Sequence, residues 1–198
     1  MPKDILLITG DFGEDYDVMI PYQGLEMVGH NVDVVCPDKE AGDRIKTSIH
    51  DFRGDQTYME DRGHDFELNA TLADVDLDEY DGLYLPGGRA PEYLRTYDEV
   101  LELVRHFFDA NKPVGALCHG QHILNAADVV EGYEMTSFPG LRSECEAAGC
   151  AAWVDEVTRD GNLVTAQGWD DHPEILSIFL EMLGTEVRHD GEVAPADD

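Results

Sequence analysis

The chain has 198 residues, of which 43 are acidic and 13 are basic, so its formal net charge is -30. This charge argues against the basic surfaces that nucleic acids and anionic membranes require, and we expect no partner of either kind. A hydrophobic content of 42% argues against disorder, and the length suits one α/β domain with a full core.

The acidic residues are spread along the chain rather than gathered in one run. We interpret them as the solvated shell of a halophilic protein, in which salt ions screen the repulsion. The four cysteines form no C-x-x-C pair, and the chain starts without a signal peptide or an apolar stretch near the ~18 residues that span a bilayer. These features predict a cytoplasmic protein with reduced thiols.

Apolar runs and helical spacings alternate along the chain. The predicted strands are residues 5–9, 32–36, 81–85, 114–117, 135–138, 153–157 and 163–166. The predicted helices are residues 15–28, 98–111, 141–148 and 173–183. This order is typical of an α/β fold with a mostly parallel central sheet. Residues 43–70 are polar and predict hairpin-like excursions from that sheet, within one domain (1–186) that is followed by an acidic tail (187–198).

The strand predicted at residues 114–117 leads directly into Cys118, His119 and Gly120, and a helix-compatible run follows. The pattern predicts a nucleophile elbow, which is a sharp strand-to-helix turn with the thiol at its tip. A helix N-terminus carries partial positive charge, so it would stabilise a thiolate there. Cys118 is therefore a candidate nucleophile, and the alternative is a buried structural cysteine.

Gly87 and Gly88 follow the strand predicted at residues 81–85. Glycines at a strand end let the backbone approach a ligand closely, and their N–H groups can form an oxyanion hole. A plain turn is the alternative. Neither the phosphate-loop pattern nor the dinucleotide-binding glycine pattern occurs, so we expect no nucleotide cofactor.

Carboxylates and histidines lie near the same predicted strand ends. Glu14 and Asp17 follow the first strand, and Glu92 follows the glycine pair. One of these acids could bind the Cys118 sulfur and move protons, or they could simply be solvated helix starts. His119 is a candidate base, and since the histidines lack the ligand number and spacing of a zinc site, we expect no metal.

Together these residues resemble the ThiJ/PfpI superfamily, which includes the parkinsonism-associated deglycase and the PfpI-type intracellular proteases. The similarity extends over about residues 4–184. The motifs that carry it are Glu14-Asp15-Tyr16-Asp17-Val18-Met19-Ile20-Pro21-Tyr22, Leu85-Pro86-Gly87-Gly88-Arg89-Ala90-Pro91-Glu92, Ala116-Leu117-Cys118-His119-Gly120-Gln121, Thr136-Ser137-Phe138-Pro139-Gly140 and Asp160-Gly161-Asn162-Leu163-Val164-Thr165.

Further motifs resemble the plant branch of that family, which acts as a glutathione-independent glyoxalase. These motifs are Ala41-Gly42-Asp43, Ile49-His50-Asp51-Phe52, Gly54-Asp55-Gln56-Thr57-Tyr58, Gly168-Trp169 and His172-Pro173-Glu174. The resemblance implies a flavodoxin-like α/β sandwich that converts methylglyoxal or glyoxal to lactate or glycolate without a cofactor. We expect a homo-oligomer, as a dimer, trimer or hexamer.

The resemblance also implies roles for individual residues. Cys118 matches the nucleophile, and His119 matches its neighbour in the elbow. Glu92 matches an acid that reaches the histidine across a subunit contact in the PfpI group.

Gly87 and Gly88, together with the His119 amide, match the oxyanion hole. Asp17 stands where the family usually has a glutamate that binds the cysteine, and aspartate is one methylene shorter. Glu14 matches a second family carboxylate and could compensate for that shorter side chain.

Our leading hypothesis is a glyoxalase in which the Cys118 thiolate adds to the aldehyde and Asp17 or His119 moves a proton between the two carbons. The same site could act as a deglycase on early aldehyde adducts of protein or nucleotide amines. Another possibility is a cysteine peptidase that uses Cys118, His119 and Glu92. A third is a redox-sensing stress chaperone in which Cys118 is oxidised.

Overall fold

The computed structural model describes residues 1–187, in which strands and helices alternate as the sequence predicts. The strands, in chain order, are β1 (Asp4–Ile8), β2 (Asn31–Val35), β3 (Arg44–Asp51), β4 (Met59–Glu67), β5 (Gly82–Leu85), β6 (Val114–Leu117), β7 (Glu134–Met135), β8 (Ala152–Trp153), β9 (Thr158–Asp160) and β10 (Leu163–Ala166). The α-helices are α1 (Asp15–Met27), α2 (Ala90–Leu94), α3 (Asp98–Asp109), α4 (Gln121–Ala126), α5 (Arg142–Ala147) and α6 (His172–Met182).

The central sheet has six strands in the order β2-β1-β5-β6-β10-β9. All neighbouring strands are parallel except β9, which runs antiparallel to β10. Alternate residues of β1 point to opposite faces, so that Leu6 and Ile8 join one apolar core while Ile5 and Leu7 join the other. Helices α1 and α6 cover one face, and α2 to α5 pack on the other. The predicted α/β sandwich with a mostly parallel sheet is confirmed.

The polar stretch at residues 43–70 forms one long antiparallel hairpin from β3 and β4, with a register shift between Lys46 and Ser48. Its inner end is fixed to the start of α1. The Ser48 N–H donates to the Gly13 carbonyl at 2.8 Å, and the His64 N–H donates to the Asp15 carboxylate at 2.9 Å. These bonds place the hairpin beside the carboxyl ends of β1 and β5.

The structure differs from the predicted elements mainly in the short pieces. The predicted strand at 135–138 ends after two residues because the Thr136 N–H donates to the Thr165 hydroxyl and the Phe138 N–H to the Cys118 carbonyl. The predicted strand at 153–157 is likewise reduced to β8, whereas β9 and the five-residue α2 were not predicted. Of the predicted tail 187–198, residues 188–198 lie outside the described part, and the domain boundary at 186 stays a prediction.

Strand β2 lies at the open edge of the sheet, and one side chain covers part of its backbone. The Asn69 amide accepts a hydrogen bond from the Val34 N–H at 2.6 Å and donates one to the Val32 carbonyl at 2.7 Å. Asn69 therefore satisfies a donor and an acceptor that a neighbouring strand would otherwise pair.

None of the helices within residues 1–187 is long and apolar enough to cross a bilayer.

Candidate active site

Cys118 lies at the turn between β6 and α4 in a left-handed backbone conformation, with a φ of 59°. This conformation is strained for a residue other than glycine, and two backbone bonds hold it. The Cys118 N–H donates to the Ala166 carbonyl, and the Cys118 carbonyl accepts from the Phe138 N–H, both at 3.1 Å. A side chain at Gly120 would begin 2.3 Å from the Leu85 carbonyl oxygen, so glycine is required for the turn to pack. The predicted elbow is thus present.

The Cys118 side chain is 7% exposed, and its Sγ lies 3.1 Å from His119 Nδ1. Burial raises the pKa of the Cys118 thiol well above its ordinary value, and the Asp17 carboxylate raises it further. Hydrogen bonds from the N–H groups of Gly88 and His119 act in the opposite direction. The sequence predicted a thiolate stabilised by a helix N-terminus, but α4 has six residues and burial outweighs these donors. Burial therefore favours the neutral thiol over the thiolate in this site.

His119 is placed to receive the thiol proton. Burial, followed by the electrostatic influence of the neighbouring His122 and His50, lowers the pKa of His119 to about 4. The imidazole is therefore neutral at physiological pH and can accept a proton when the sulfur attacks. Its ring stacks on Phe138, with the ring centroids 4.8 Å apart, which fixes its orientation.

Asp17 lies beneath the glycine turn rather than in the cleft. It is fully buried, and its Oδ2 accepts a hydrogen bond from the Gly87 N–H at 3.2 Å. Its Oδ1 lies 3.3 Å from His172 Nε2, at the start of α6. Of the three predicted oxyanion-hole donors, the Gly87 N–H is bound to Asp17, whereas the N–H groups of Gly88 and His119 face the Cys118 sulfur.

Glu14 is buried and lines the same cleft as Cys118, together with the more exposed Asp170 and Asp171. It is the N-cap of α1, where its Oε2 accepts the Asp17 N–H at 2.9 Å. Burial and the neighbouring Asp17 raise the pKa of Glu14 to about 8. Near neutral pH the Glu14 carboxyl is therefore mostly protonated and can donate a hydrogen bond or a proton.

Glu92 is exposed and does not line the Cys118 cleft. It lines a different cleft of about 540 Å³, together with Arg89 and Tyr93. Within residues 1–187 the structure thus shows no triad of Cys118, His119 and Glu92, and such a triad would require Glu92 from another subunit.

The Cys118 cleft has a volume of about 410 Å³ and is walled largely by aromatic rings. Phe52 and Tyr58 come from the hairpin, and Phe138 and Trp169 come from the loops after β7 and β10. The Tyr58 ring makes edge contacts with His119 and Phe138, at centroid distances of 5.9 and 5.6 Å.

The sequence reasoning assigned no role to His50, Tyr58, Trp169 or His172. All four lie in motifs that resemble the plant branch, and this resemblance is the sequence feature that could have identified them. His50 is buried on the hairpin, where its Nε2 lies 3.1 Å from Glu60 Oε2 and its ring stacks on Tyr58.

His122, in contrast, is oriented by α5 and not by the nucleophile. Its Nδ1 lies 2.9 Å from Glu144, which also pairs with Arg95 at 3.0 Å. Among residues 1–187, no three or more His, Cys, Asp or Glu side chains are grouped so that they could hold a metal ion.

A buried cysteine on a strand-to-helix elbow, with a neutral histidine and backbone donors at its sulfur, places the chain in the class of α/β proteins that carry a nucleophile elbow. The sequence comparison gives the family within that class. A profile of the DJ-1/PfpI family matches residues 3–182, and the chain belongs to this family.

Three relatives illustrate its range. Protein DJ-1 homolog D of Arabidopsis thaliana is 47% identical over 190 residues, which are 93% of this chain and 49% of the plant protein. Deglycase PfpI of Pyrococcus furiosus is 33% identical over 180 residues, or 90% of this chain and 98% of that protein. The crystal structure of Drosophila melanogaster DJ-1beta superposes with a TM-score of 0.77 at 23% identity, covering 93% of this chain and 92% of that one. The chain spans about half the length of the plant relatives it matches.

Proposed function

We propose that this chain is a cofactor-free, glutathione-independent glyoxalase that converts methylglyoxal or glyoxal to lactate or glycolate. The observation that carries the proposal is the arrangement around one sulfur. Cys118 Sγ has a neutral base at 3.1 Å, and it receives hydrogen bonds from two backbone N–H groups. The similarity to Arabidopsis DJ-1 homolog D over 93% of this chain supports a shared chemistry.

The first step is addition of the thiol to the aldehyde. As the Cys118 sulfur attacks the aldehyde carbon, His119 Nδ1 accepts the thiol proton, and the former carbonyl oxygen becomes an oxyanion. The N–H groups of Gly88 and His119 stabilise this oxygen, and one such donor is typically worth ~3 kcal/mol. His119 then returns the proton to the oxygen, which gives a neutral hemithioacetal.

The second step moves a hydrogen between the two carbons of the substrate. Neutral His119 removes the proton from the former aldehyde carbon, and Glu14 donates a proton to the neighbouring ketone oxygen, so that an enediol forms. Reprotonation of the second carbon gives a thioester of the 2-hydroxy acid and restores the Glu14 proton. Water hydrolyses the thioester and releases the acid and the free thiol. The net reaction adds one water and needs no external oxidant or reductant.

The test is lactate formation from methylglyoxal in the absence of glutathione, in a buffer of molar salt. Cys118→Ala should lose at least about 10³-fold in turnover, because no other group replaces the nucleophile. Cys36→Ala is the matched control, since Cys36 is also a buried thiol at a strand end and does not line the cleft. Turnover that survives in Cys118→Ala would rule out the proposal.

Deglycation is a second candidate, and the rim of the cleft favours it. The exposed Asp170 and the half-exposed Asp171 line the opening, where their charges would attract the cationic side chain of an arginine or lysine adduct. The test supplies methylglyoxal already equilibrated with Nα-acetylarginine. If lactate is released faster than the concentration of free methylglyoxal can account for, the chain deglycates the adduct. If the rate follows the concentration of free methylglyoxal, glyoxalase turnover is the only activity detected.

A peptidase would depend on assembly. We propose that any such activity needs a homo-oligomer in which Glu92 of a second copy approaches His119, because Glu92 lines a different cleft in its own chain. Casein hydrolysis that appears with the oligomer and disappears in Glu92→Gln would support this, and hydrolysis by a monomer would contradict it.

A further inference from the structure

A buried acid–base pair lies directly behind the nucleophile. Asp17 Oδ1 and His172 Nε2 are 3.3 Å apart, and their side chains are 0% and 3% exposed. Neither residue lines the Cys118 cleft, so neither is placed to touch a substrate. The mechanism proposed above uses neither side chain.

The two side chains depend on each other. Among residues 1–187, neither Asp17 Oδ1 nor either ring nitrogen of His172 has a hydrogen-bond partner. Burying a charge without a partner costs free energy. The electrostatic contact with His172 is therefore the interaction that offsets the cost of burying the Oδ1 side of the Asp17 carboxylate. On its other side, Asp17 Oδ2 is held by the Gly87 N–H.

Within residues 1–187, four titratable groups face Asp17 from the surrounding elements. They are Glu14 on its own helix, Tyr84 on β5, Cys118 at the elbow and His172 on α6. Of these four, His172 alone can carry a positive charge. The neighbouring Asp171 directs its carboxylate to the Gln167 and Gly168 N–H groups instead.

The charge on Asp17 reaches the sulfur across Gly87. A Cβ atom built on Gly87 would lie 2.6 Å from Asp17 Oδ2 and 2.5 Å from Cys118 Cβ, so this glycine is enclosed between the carboxylate and the nucleophile. The carboxylate raises the pKa of the Cys118 thiol through this short separation. A group that offsets the charge on Asp17 therefore makes it easier to form the thiolate.

We propose that His172 is a positioning residue for the nucleophile: it holds Asp17 beneath the glycine turn and offsets the charge of that carboxylate, so that Cys118 ionises more readily. The role rests on Cys118 being the nucleophile of the proposed function. Its readout is the thiol itself and does not require that any particular substrate is turned over.

The experiment measures the rate of Cys118 alkylation by iodoacetamide as a function of pH. Cys118 is the one cysteine between Arg105 and Arg142, and Lys112 is followed by Pro113, so trypsin releases it in a peptide free of the other thiols. Mass spectrometry of that peptide gives the apparent pKa of Cys118 in each variant.

His172→Gln keeps an amide donor near the position of Nε2 but cannot carry a positive charge. We expect it to raise the apparent pKa of Cys118 by about one unit, which slows alkylation about tenfold at a fixed pH below that value. In an Asp17→Asn background the same substitution should change the rate less than about twofold, because the charge that it offsets is gone. His172→Asn provides the same comparison if His172→Gln does not fold.

His30→Gln is the matched control. His30 is also a buried histidine, held by the Lys3 N–H and the Thr185 hydroxyl at the opposite end of the sheet. It should lose stability without changing the alkylation profile.

Three results would overturn the role of His172. They are equal shifts in the apparent pKa of Cys118 with and without Asp17, no shift in His172→Gln, and a downward shift. Failure of the proposed glyoxalase is a separate result. It would appear as absent lactate from a wild-type protein whose Cys118 still shows the coupled alkylation profile.

Discussion

The two walls of the Cys118 cleft are built in opposite ways. The sheet wall, formed by the ends of β5 and β6 and the elbow, consists of buried apolar strands and closely approached glycines. The hairpin wall, formed by β3 and β4, is mostly exposed and is braced by surface ion pairs such as Arg44–Glu67 and Arg53–Asp51.

This difference separates two tasks. Groups that attack, accept protons or stabilise an oxyanion need fixed positions and low water access, and the sheet wall provides both. The hairpin wall offers Phe52 and Tyr58 as apolar contact surface, which a substrate can use without precise alignment. We therefore expect changes on the sheet wall to affect folding and chemistry, and changes on the hairpin wall to affect substrate binding.

The largest effect should come from crowding the elbow. Gly120→Ala places a methyl group 2.3 Å from the backbone oxygen of Leu85, which cannot move without disturbing β5. We expect a loss of more than about 2 kcal/mol in the free energy of unfolding, measured by urea denaturation. Gly24→Ala is the control, because its nearest contact is an ordinary 3.6 Å and alanine favours the helix. Equal free energies of unfolding for the two variants would show that the elbow can accommodate a methyl group beside the Leu85 carbonyl.

Glu14 should make stability depend on pH. Its folded pKa of about 8 lies above its unfolded value of 4.5, so the native state keeps a proton that the unfolded chain releases between these values. The stabilisation is complete below about pH 4.5 and is lost as the pH rises through 8, with a slope of up to about 1.4 kcal/mol per pH unit.

Denaturation curves between about pH 4 and about pH 9 would test this expectation, because this interval includes both the unfolded and the folded pKa of Glu14. Glu14→Gln should flatten the pH dependence, whereas Glu99→Gln, an exposed acid in the first turn of α3, should leave the slope unchanged. If Glu14→Gln keeps the wild-type slope, a group other than Glu14 holds the proton in the native state.

A smaller and different effect is expected from the hairpin wall. Tyr58→Leu keeps the apolar volume but removes the ring that contacts His119 and Phe138. Under the proposed function we expect KM for methylglyoxal to rise about threefold to tenfold while kcat stays within about twofold, since the ring lines the cleft and would contact the substrate away from the reacting atoms. Met59→Ala, an exposed neighbour that does not line the cleft, is the control. A large fall in kcat would show that the hairpin also orients the catalytic histidine.

The smallest effect should come from the exposed braces of that wall. In the Arg44–Glu67 pair, the side chains are 64% and 59% exposed. Glu67→Gln should therefore change the free energy of unfolding by less than about 0.5 kcal/mol, and salt should reduce the difference further. A double-mutant cycle with Arg44→Gln measures the coupling, and a value above about 1 kcal/mol would mean that the hairpin is held more firmly than its exposure suggests.

The sequence predicted the sheet wall better than the hairpin wall. Strands β6 and β10 were predicted with their observed bounds. Their apolar runs, bounded by turn residues, are too short for a typical helix and therefore favour buried strands. The glycines and Cys118 follow such strands directly, so their common location follows from the parallel order alone.

Other features depend on contacts between distant parts of the chain. Local patterns do not show that His50 and Tyr58 turn toward the elbow, since β3 and β4 are largely exposed and their register includes a shift. The pairing of Asp17 with His172 joins residues 155 positions apart. The bond from the Gly87 N–H to Asp17 joins residues 70 positions apart, and it leaves the N–H groups of Gly88 and His119 facing the sulfur. Strand β9 and helix α2 are too short for periodicity to identify them.

Asn69 has a consequence for how this protein behaves at high concentration. A sheet that ends in an uncovered parallel strand can grow by recruiting a strand from another molecule, and such growth leads to aggregation. In this chain, a single amide occupies the Val32 carbonyl and the Val34 N–H in the middle of β2. An incoming strand would have to displace that amide before it could pair, so the side chain acts as a built-in barrier to sheet polymerisation.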